Sequence, residues 1–320
     1  MRCLVTGSEG MLGTELVEFL RRQNEEVIGW DLPKHDVTDV EKTINGIHQV
    51  GPDVVFHLAA RTDVDGCEDD VAGATSVNFQ GTWAVALGVE ELGRKLVYLS
   101  TDYVFDGRAG KPYGEADTAN PLSVYGRTKL LGENAIKRSC PRHFIVRTSW
   151  LYGKHGRNFV DTIRQKSAQV QRIEVVSDQV GSPTYTRDLC RPLWELAQSK
   201  YFGLYHVTNS GQCSWFDLAS EIVKLTGSKC EVVPTDTATA ARRAPRPAYS
   251  VLENRNFMRR FGKELRPWQE ALRSYVTGGT TNDKGRMTNG EPQSDVIPSV
   301  ARNLAGQDDS RDSSSSDSSE

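Results

Sequence analysis

The stretch Arg2-Cys3-Leu4-Val5-Thr6-Gly7-Ser8-Glu9-Gly10-Met11-Leu12-Gly13 decides the fold of this chain. Residues 2–6 are apolar and suit a buried strand, and a helical pattern continues from the last glycine to about Arg22. The glycines are spaced Gly-x-x-Gly-x-x-Gly, which permits a tight turn, close helix–strand packing and backbone approach to a pyrophosphate. A helix N-terminus behind such a turn offers free N–H donors and a positive dipole. The stretch therefore predicts a dinucleotide-binding turn around Gly7, Gly10 and Gly13.

An acidic residue follows the second predicted strand. Residues 26–30 are β-prone and lead into Asp31, eighteen residues after Gly13. An acid at this place commonly binds the ribose hydroxyls of the adenosine, which favours NAD over NADP. Lys34 is near enough to accommodate a 2′-phosphate, so NADH and NADPH both stay open as the cofactor. Asp36 and Val37 would lie near the adenine if the next connection folds back.

A third buried strand over residues 53–60 ends in the small residues Ala59 and Ala60, which would let a flat cofactor pass closely. His57 lies within this apolar run, and we interpret it as a packed core histidine rather than a catalytic one. The acidic residues between positions 63 and 70 resemble a metal-binding cluster, but they predict a solvated loop and the charged first turn of a helix. That helix is expected to cover about residues 70–92.

The stretch from residue 95 to 132 carries the chemistry. Residues 95–99 predict a buried strand, and the polar exit contains Thr101 and Asp102, at the edge where open α/β sheets bind ligands. A helix is predicted from Asn120 onward, and it places Tyr125 and Lys129, four residues apart, on one face. A neighbouring ammonium would lower the pKa of the phenol, which suits proton exchange with an alcohol or a carbonyl. A surface helix on which the two side chains merely share a face is the alternative.

Strands continue to alternate with helices further along the chain. Residues 143–149 predict another parallel strand, and Trp150 follows its end. Helices are expected near 158–168 and 186–198, strands at 173–176 and 203–208, a helix capped by Ser214, and a last helix from Pro267. We predict an α/β fold, a Rossmann-like doubly wound parallel sheet with a smaller α/β substrate-binding lobe on its C-terminal side. The expected division is a dinucleotide-binding domain over 1–155, a lobe over 156–276 and a disordered Ser/Asp-rich tail over 277–320.

A basic, proline-stiffened loop covers residues 240–247 and contains Arg242, Arg243 and Arg246. Arginine suits a pyrophosphate through its fork geometry and its permanent charge. A solvated basic loop is an equally good interpretation of the same residues.

Composition excludes several classes of protein. The formal net charge of -3 gives no signal for binding a polyanion, so nucleic acid is not expected as a partner. The six cysteines form no Cys-x-x-Cys pair, which argues against a disulfide framework or a zinc site and for a reducing compartment. No apolar run reaches the roughly 18 residues that span a bilayer, and the N-terminus does not resemble a signal peptide. We therefore expect a cytoplasmic protein with no membrane partner.

Four blocks together resemble a known family. They are residues 6–13, residues 100–107 (Ser-Thr-Asp-Tyr-Val-Phe-Asp-Gly), residues 121–129 (Pro-Leu-Ser-Val-Tyr-Gly-Arg-Thr-Lys) and residues 147–153 (Arg-Thr-Ser-Trp-Leu-Tyr-Gly). With their order and spacing, the chain over about residues 1–276 resembles the dTDP-4-dehydrorhamnose reductases of the extended short-chain dehydrogenase/reductase superfamily.

The resemblance implies roles for individual residues. Tyr125 would donate the proton, Lys129 would tune it and bind the nicotinamide ribose, and Thr101 would polarise the C4 carbonyl of the sugar. Asp102 and Trp150 would hold the sugar or its nucleotide. The remaining cofactor contacts implied by the match are Gly10, Met11 and Leu12 on the pyrophosphate, Asp31, Asp36 and Val37 on the adenosine, and Ala59 and Ala60 beneath the cofactor.

The implied reaction is hydride transfer from NADPH or NADH to C4 of dTDP-4-dehydro-L-rhamnose, or of a close 4-keto-6-deoxy nucleotide sugar. Such a product supplies polysaccharide biosynthesis. Some members of the family bind a divalent cation through glutamates, and Glu15 matches one such position. No partner glutamates are evident downstream, so no metal is predicted. A monomer or a homodimer is expected.

Two other functions stay open. A nucleotide-sugar epimerase or dehydratase would use the same scaffold, but a dehydratase typically has Asp-Glu after the threonine, where this chain has Asp102-Tyr103. A non-catalytic subunit resembling the regulatory β-subunit of methionine adenosyltransferase would carry a similar Asp-Tyr-Val-Phe-Asp-Gly block. That family has Ser-Ser-Asp where this chain has Ser100-Thr101-Asp102, and the intact Thr101, Tyr125 and Lys129 favour an enzyme.

Overall fold

A computed structural model describes residues 1–278. The strands are β1 Arg2–Thr6, β2 Glu26–Trp30, β3 Val54–His57, β4 Lys95–Thr101, β5 His143–Thr148, β6 Leu151–Tyr152, β7 Arg172–Val176, β8 Val180–Gly181, β9 Thr184–Tyr185, β10 Gly203–His206, β11 Cys213–Ser214 and β12 Glu231–Thr235. The helices are α1 Met11–Arg22, α2 Val40–Val50, α3 Val64–Asp69, α4 Val71–Thr75, α5 Thr82–Glu91, α6 Val124–Ser139, α7 Phe159–Ser167, α8 Thr186–Gln198, α9 Trp215–Thr226, α10 Thr237–Ala240, α11 Arg255–Phe261 and α12 Trp268–Val276.

Six parallel strands form the main sheet, in the order β10-β5-β4-β3-β1-β2. From β1 the chain moves outward to β2 and then returns past β1 to β3, so the direction of winding reverses between β1 and β3. In open α/β sheets ligands bind outside the carboxyl ends of the strands at such a reversal. The glycine turn after β1 and the residues after β3 therefore line the expected ligand crevice.

Helices cover both faces of this sheet. On one face, Leu16 and Leu20 of α1 and Leu189 and Leu193 of α8 pack on inward-facing residues of the strands. On the other face, α2, α5 and α6 contribute a second buried cluster that includes Ile47. A parallel sheet buried on both faces is the doubly wound arrangement that the alternating sequence pattern predicts, and this fold class is confirmed.

The last strand of the main sheet and one of its covering helices come from late in the chain. β10 pairs with β5 in parallel register, with His206 opposite Arg147. α8 packs beside α1 through the shared buried cluster. The main sheet and its helical cover are thus completed by residues from 186 onward.

A smaller lobe is built around an aromatic-rich core. Its buried cluster contains Tyr152, Tyr185 and Trp268, packed with residues of α7, α9 and α12. β7 and β12 pair in parallel, and Ser214 caps α9 through a reciprocal capping box with Asp217. The lobe therefore has its own apolar core beside the sheet.

Several boundaries differ from the sequence-based expectations. The helix expected over 70–92 is divided into α4, a π-helical turn at Ser76–Gly81, and α5. Within that turn the Asn78 side chain accepts from the Arg61 amide at 2.8 Å and donates to Thr128 of α6 at 3.1 Å, so its side chain joins two segments. π-Helical turns of this kind are concentrated at functional sites. The sequence pattern carries no signal for this one.

Two further expected boundaries were wrong by a few residues. α6 begins at Val124 rather than near Asn120, because the Ser123 hydroxyl caps it by accepting from the Gly126 amide at 3.1 Å. β3 ends at His57, not at Ala60, where the chain leaves the sheet to pass the glycine turn. Helix α2 had not been predicted. The predicted division at 155 stays a prediction, and all but the first two residues of the predicted tail lie outside the described residues.

Candidate active site

The glycine turn is packed against the segment that follows β3. Gly7 has a φ of +68°, and a Cβ there would lie 2.7 Å from the Ala59 nitrogen. A Cβ on Gly13 would lie 1.9 Å from the carbonyl oxygen of Gly7. Both positions therefore require glycine for the packing of the turn itself. Gly10 is exposed and its Cβ would meet only Gly7 O at 3.2 Å, so it is the glycine that faces the crevice.

The first backbone N–H groups of α1 lack a side-chain acceptor. No side chain caps the N-terminus of this helix, and its first turn contains no acidic residue. By contrast α2, α6 and α9 are each capped by their own Asp or Ser. The first N–H groups of a helix need acceptors, and an anion meets that need together with the positive dipole. The residues from Gly10 to Leu12 thus fit the pyrophosphate of a dinucleotide.

We expect Gly13→Ala to weaken dinucleotide binding about tenfold or more, because a methyl group 1.9 Å from a backbone oxygen must push α1 away from the turn. The unfolding free energy should fall by about 1–3 kcal/mol. Titration of the dinucleotide by fluorescence or calorimetry measures the first effect.

Gly114→Ala is the matched control, since its Cβ would meet nothing closer than 3.7 Å. Equal dinucleotide affinity in both variants would contradict the role given to the turn.

Asp31 lies at the end of β2 beside the turn, as predicted. Its carboxylate accepts from the Glu9 amide at 2.7 Å and from the Leu32 amide at 2.9 Å, so it also closes the glycine turn. Asp36 is exposed and accepts from Thr38, while Val37 is buried against Gly81. Contacts of these residues with an adenosine stay predictions.

The three predicted catalytic residues come together at the carboxyl end of β4. Thr101 is the last residue of β4, and its hydroxyl lies close enough to the phenol of Tyr125 on α6 to lower the pKa of that phenol. The Tyr125 ring also packs edge-on against Tyr103, with ring centroids 6.0 Å apart. Lys129 follows one turn along the same helix and is buried, with its ammonium 4.2 Å from the centroid of the Tyr98 ring. The helix face inferred from the four-residue spacing therefore points inward.

The expected lowering of the Tyr125 pKa was wrong for the protein without ligands. Burial raises the pKa of this phenol, and the nearby Thr101 hydroxyl opposes that rise only in part. Burial also lowers the pKa of Lys129 to about 7, against the attraction of the carboxylate of Glu133. Desolvation disfavours both charged forms, which outweighs the attraction that sequence spacing alone suggests.

Asp102 is buried between two protein hydroxyls. Its Oδ1 accepts from Thr101 at 3.1 Å and its Oδ2 accepts from Ser250 at 2.5 Å. Burial raises the pKa of this carboxyl to about 7, although both hydrogen bonds favour the ionised form. The predicted contact of Asp102 with a sugar stays a prediction.

Trp150 follows β5 with a strained backbone, since its φ is +48°. Its indole stacks on Trp215 of the small lobe, with centroids 3.5 Å apart and planes 6° from parallel. The tight fit against Gly181, whose Cβ would come within 2.5 Å of the ring, holds this orientation. Trp150 is thereby placed between the sheet edge and the small lobe, where a substrate contact is a reasonable prediction.

Sequence reasoning missed a network behind Tyr125. Arg246 lies beside the Tyr103 phenol, whose pKa it lowers, and forms a two-pronged ion pair with Asp65, at 3.1 and 2.9 Å. Ser250 carried no signal, because it meets Asp102 across more than a hundred residues of sequence. Asp65 had been interpreted only as part of the solvated acidic stretch, and its pairing with the basic loop was not predicted.

Other expectations can be compared directly. His57 is fully buried between the hydroxyls of Thr6 and Thr82, at 2.7 and 3.0 Å, which confirms a packed histidine. In the acidic stretch, Asp63 and Asp70 cap α3 and α4.

Within residues 1–278 no group of His, Cys, Asp or Glu side chains is arranged to hold a metal ion, and all six cysteines are free. No helix of the described part is long and apolar enough to cross a membrane.

Comparisons with known proteins show the family to which the chain belongs. The model of a family described as RmlD substrate binding domain matches residues 1–280. The spore coat polysaccharide biosynthesis protein SpsK of Bacillus subtilis is 40% identical over 275 residues, which cover 86% of this chain and 96% of that protein.

Solved structures are similar over the same range. A dTDP-4-dehydrorhamnose reductase from Clostridium acetobutylicum has a TM-score of 0.84 at 41% identity, and covers 86% of this chain and 98% of its own. A dTDP-4-dehydrorhamnose reductase from Bacillus anthracis in complex with NADP has a TM-score of 0.83 at 37% identity, with the same coverage. A UDP-glucose 4-epimerase of Thermus thermophilus in complex with NAD, at 21% identity and a TM-score of 0.74, shows a shared fold alone.

Proposed function

The chain belongs to the RmlD substrate binding domain family, and from that membership and the site we propose that it is an NAD(P)H-dependent oxidoreductase. Its substrate is dTDP-4-dehydro-L-rhamnose or a close 4-keto-6-deoxy nucleotide sugar, whose C4 keto group it reduces to a hydroxyl. The observation that carries this proposal is that the Thr101 hydroxyl and the Tyr125 phenol lie next to each other, at the sheet edge that the glycine turn also lines.

The chain's own residues supply binding, orientation and the proton. The uncapped first turn of α1 and Gly10 hold the dinucleotide, which supplies a hydride when it is bound. Thr101 donates to the C4 oxygen of the sugar, and Tyr125 gives that oxygen its proton. The buried Lys129 ammonium raises the positive potential around the phenol as its proton leaves.

A reductase of this kind needs a site for the diphosphate of its substrate, and Arg242 is the best candidate. Arg246 is neutralised by Asp65, and Arg243 by Asp69. Arg242 is partly buried next to them, and burial together with Arg246 lowers the pKa of its guanidinium. Among the described residues it forms no ion pair, so its charge is available to an anionic group.

We expect Arg242→Ala to raise the KM for the nucleotide sugar about 10- to 100-fold, because a charge-assisted hydrogen bond to the diphosphate is lost. The kcat should stay within about threefold, since the lost contact is the same in ground and transition states. Steady-state kinetics at saturating cofactor measure both. Arg243→Ala is the matched control, and the same rise in KM in that variant would contradict the assignment.

Product identification tests the proposed function itself. The nucleotide sugar is generated in situ and incubated with the protein and either NADPH or NADH, and the product is identified by NMR. We expect consumption of one reduced cofactor per sugar and a C4 hydroxyl of defined configuration. A rearranged sugar without net consumption of cofactor would instead indicate an epimerase, and binding without any turnover would indicate a regulatory subunit.

The alternatives have weaker support. The epimerase similarity stands at 21% identity, and Tyr103 occupies the place where a dehydratase would carry its Glu. We further propose that the protein turns over without a metal ion, is located in the cytoplasm and is a monomer or a homodimer. Free cysteines support the reducing location. Assay with a chelator and size-exclusion chromatography with light scattering would test the metal and the oligomeric state.

A further inference from the structure

The hydroxyl of Thr101 donates its only proton to another protein group. It accepts from the Tyr103 amide at 3.2 Å and donates to Asp102 Oδ1 at 3.1 Å. A hydroxyl has one proton and two lone pairs, so with its proton on Asp102 it can accept one further hydrogen bond but cannot donate one. In this arrangement the Thr101 proton does not point at a substrate.

Asp102 accepts a hydrogen bond on each carboxylate oxygen, from Thr101 on one and from Ser250 on the other. The Ser250 hydroxyl donates to Asp102 Oδ2 at 2.5 Å. Two backbone hydrogen bonds fix the position of this segment. The Ser250 amide donates to the Val180 carbonyl at 2.8 Å, and the carbonyl of the next residue, Val251, accepts from the Tyr113 amide at 2.8 Å. Ser250 is therefore a fixed donor that a loop of the small lobe delivers to the buried carboxyl.

Resting on the proposed function, we propose that Asp102 and Ser250 are positioning residues that set the direction of the Thr101 hydroxyl, which turns to the substrate when Asp102 is protonated. An ionised carboxylate only accepts, so it draws the Thr101 proton toward itself. A protonated carboxyl donates to Thr101 instead, and the Thr101 proton is then free for the C4 oxygen. Asp102 thus acts through Thr101 and needs no contact with the sugar.

Both protonation states of Asp102 are accessible near neutral pH, since burial raises its pKa to about 7. The titratable groups that face it are the phenols of Tyr103, on the same turn, and Tyr125, on α6. Behind them lie the ion pair of Arg246 with Asp65 and the side chain of Lys129, which the carboxylate of Glu133 attracts. Lys129 has a pKa of about 7 as well, so an experiment must separate its titration from that of Asp102.

The sign of the pH effect follows from the donor and acceptor roles. Above the Asp102 pKa the carboxylate retains the Thr101 proton, so kcat should fall as the pH rises. Ser250→Ala removes a donor that stabilises the carboxylate, which raises the Asp102 pKa. The alkaline fall in kcat should then move upward by on the order of one pH unit. Asp102→Asn cannot ionise, and the fall assigned to Asp102 should disappear.

The test compares kcat against pH in the wild type, Asp102→Asn and Ser250→Ala. Ser228→Ala is the matched control, because that serine also donates a hydrogen bond, partly buried, to the Ser167 carbonyl at 2.7 Å, but lies away from Asp102 in the small lobe. An alkaline fall that persists in Asp102→Asn would belong to Lys129 and overturn the proposal. An unshifted fall in Ser250→Ala would overturn it too.

A second measurement works without turnover and without variants that might misfold. NMR of protein labelled with ¹³C at the aspartate carboxyl carbons follows the titration of Asp102 directly, and we expect a midpoint near 7 in the wild type. A midpoint near the ordinary value of about 4 overturns the proposal. If the wild type reduced no 4-keto sugar, the proposed function would fail, while the NMR titration would still decide whether Asp102 changes its protonation near neutral pH.

Discussion

Replacing Tyr125 by Phe is expected to lower kcat for reduction of the keto sugar by about 10²- to 10⁴-fold, the usual contribution of a positioned general acid. The substitution removes only the phenol oxygen. The ring can keep its edge-on contact with Tyr103, so α6 and the buried Lys129 should stay in place. The dinucleotide should bind within a few-fold of the wild-type affinity, because the glycine turn is untouched.

Stopped-flow measurement of the chemical step and a cofactor titration separate these two effects. Tyr103→Phe is the matched control, because it removes the phenol oxygen of the neighbouring ring, which lies beside Arg246. We expect a much smaller loss of kcat in that variant. A Tyr125→Phe enzyme that turns over at the parental rate would remove Tyr125 as the proton donor.

Replacing Glu133 by Gln is expected to lower the free energy of unfolding by about 3–5 kcal/mol, because it leaves a buried guanidinium without its counter-charge. Glu133 and Arg147 are both almost wholly buried and are joined by two hydrogen bonds, at 2.8 and 2.7 Å. The Ser100 hydroxyl adds a third, at 2.6 Å. Since a domain is stable by only about 5–15 kcal/mol, this loss is a large share of the total.

Chemical denaturation at neutral pH measures the change. Lys137→Met is the control, since Lys137 is partly exposed and reaches Glu133 at 3.4 Å, and exposed pairs contribute less than about 1 kcal/mol. If both substitutions lowered the free energy of unfolding equally, the buried Glu133–Arg147 pair would contribute no more than the exposed pair of Glu133 with Lys137. Because Glu133 is also the carboxylate that favours the charged form of Lys129, kcat should fall in the part of the variant that stays folded.

Local patterns were sufficient for most of the sheet. Runs such as residues 2–6 and 26–30 predict β1 and β2 to the residue, because a short β-prone run bounded by turn residues marks a strand. The four-residue spacing of Tyr125 and Lys129 likewise indicates a shared helix face. These features depend on the chain within one or two turns, which a single sequence displays.

Features that depend on distant contacts were not predictable. The π-helical turn at Ser76–Gly81 and the contact of Ser250 with Asp102 arise from partners far along the chain. The direction of the Tyr125 pKa was wrong for the same reason. Sequence spacing shows the neighbouring charge of Lys129, but only the packed structure shows how far burial opposes the phenolate.

The return of the chain to its first sheet has a consequence for synthesis on the ribosome. Until residues 186–206 have emerged, β5 is an outer strand with unpaired amide and carbonyl groups, and α1 lacks the helix that covers Leu16 and Leu20. The nascent polypeptide therefore exposes the edge of β5 and the apolar face of α1, which favour aggregation, while these later residues are synthesised. Slow codons placed before residue 206 would prolong that exposure, whereas a pause after it would give β10 and α8 time to cover both surfaces.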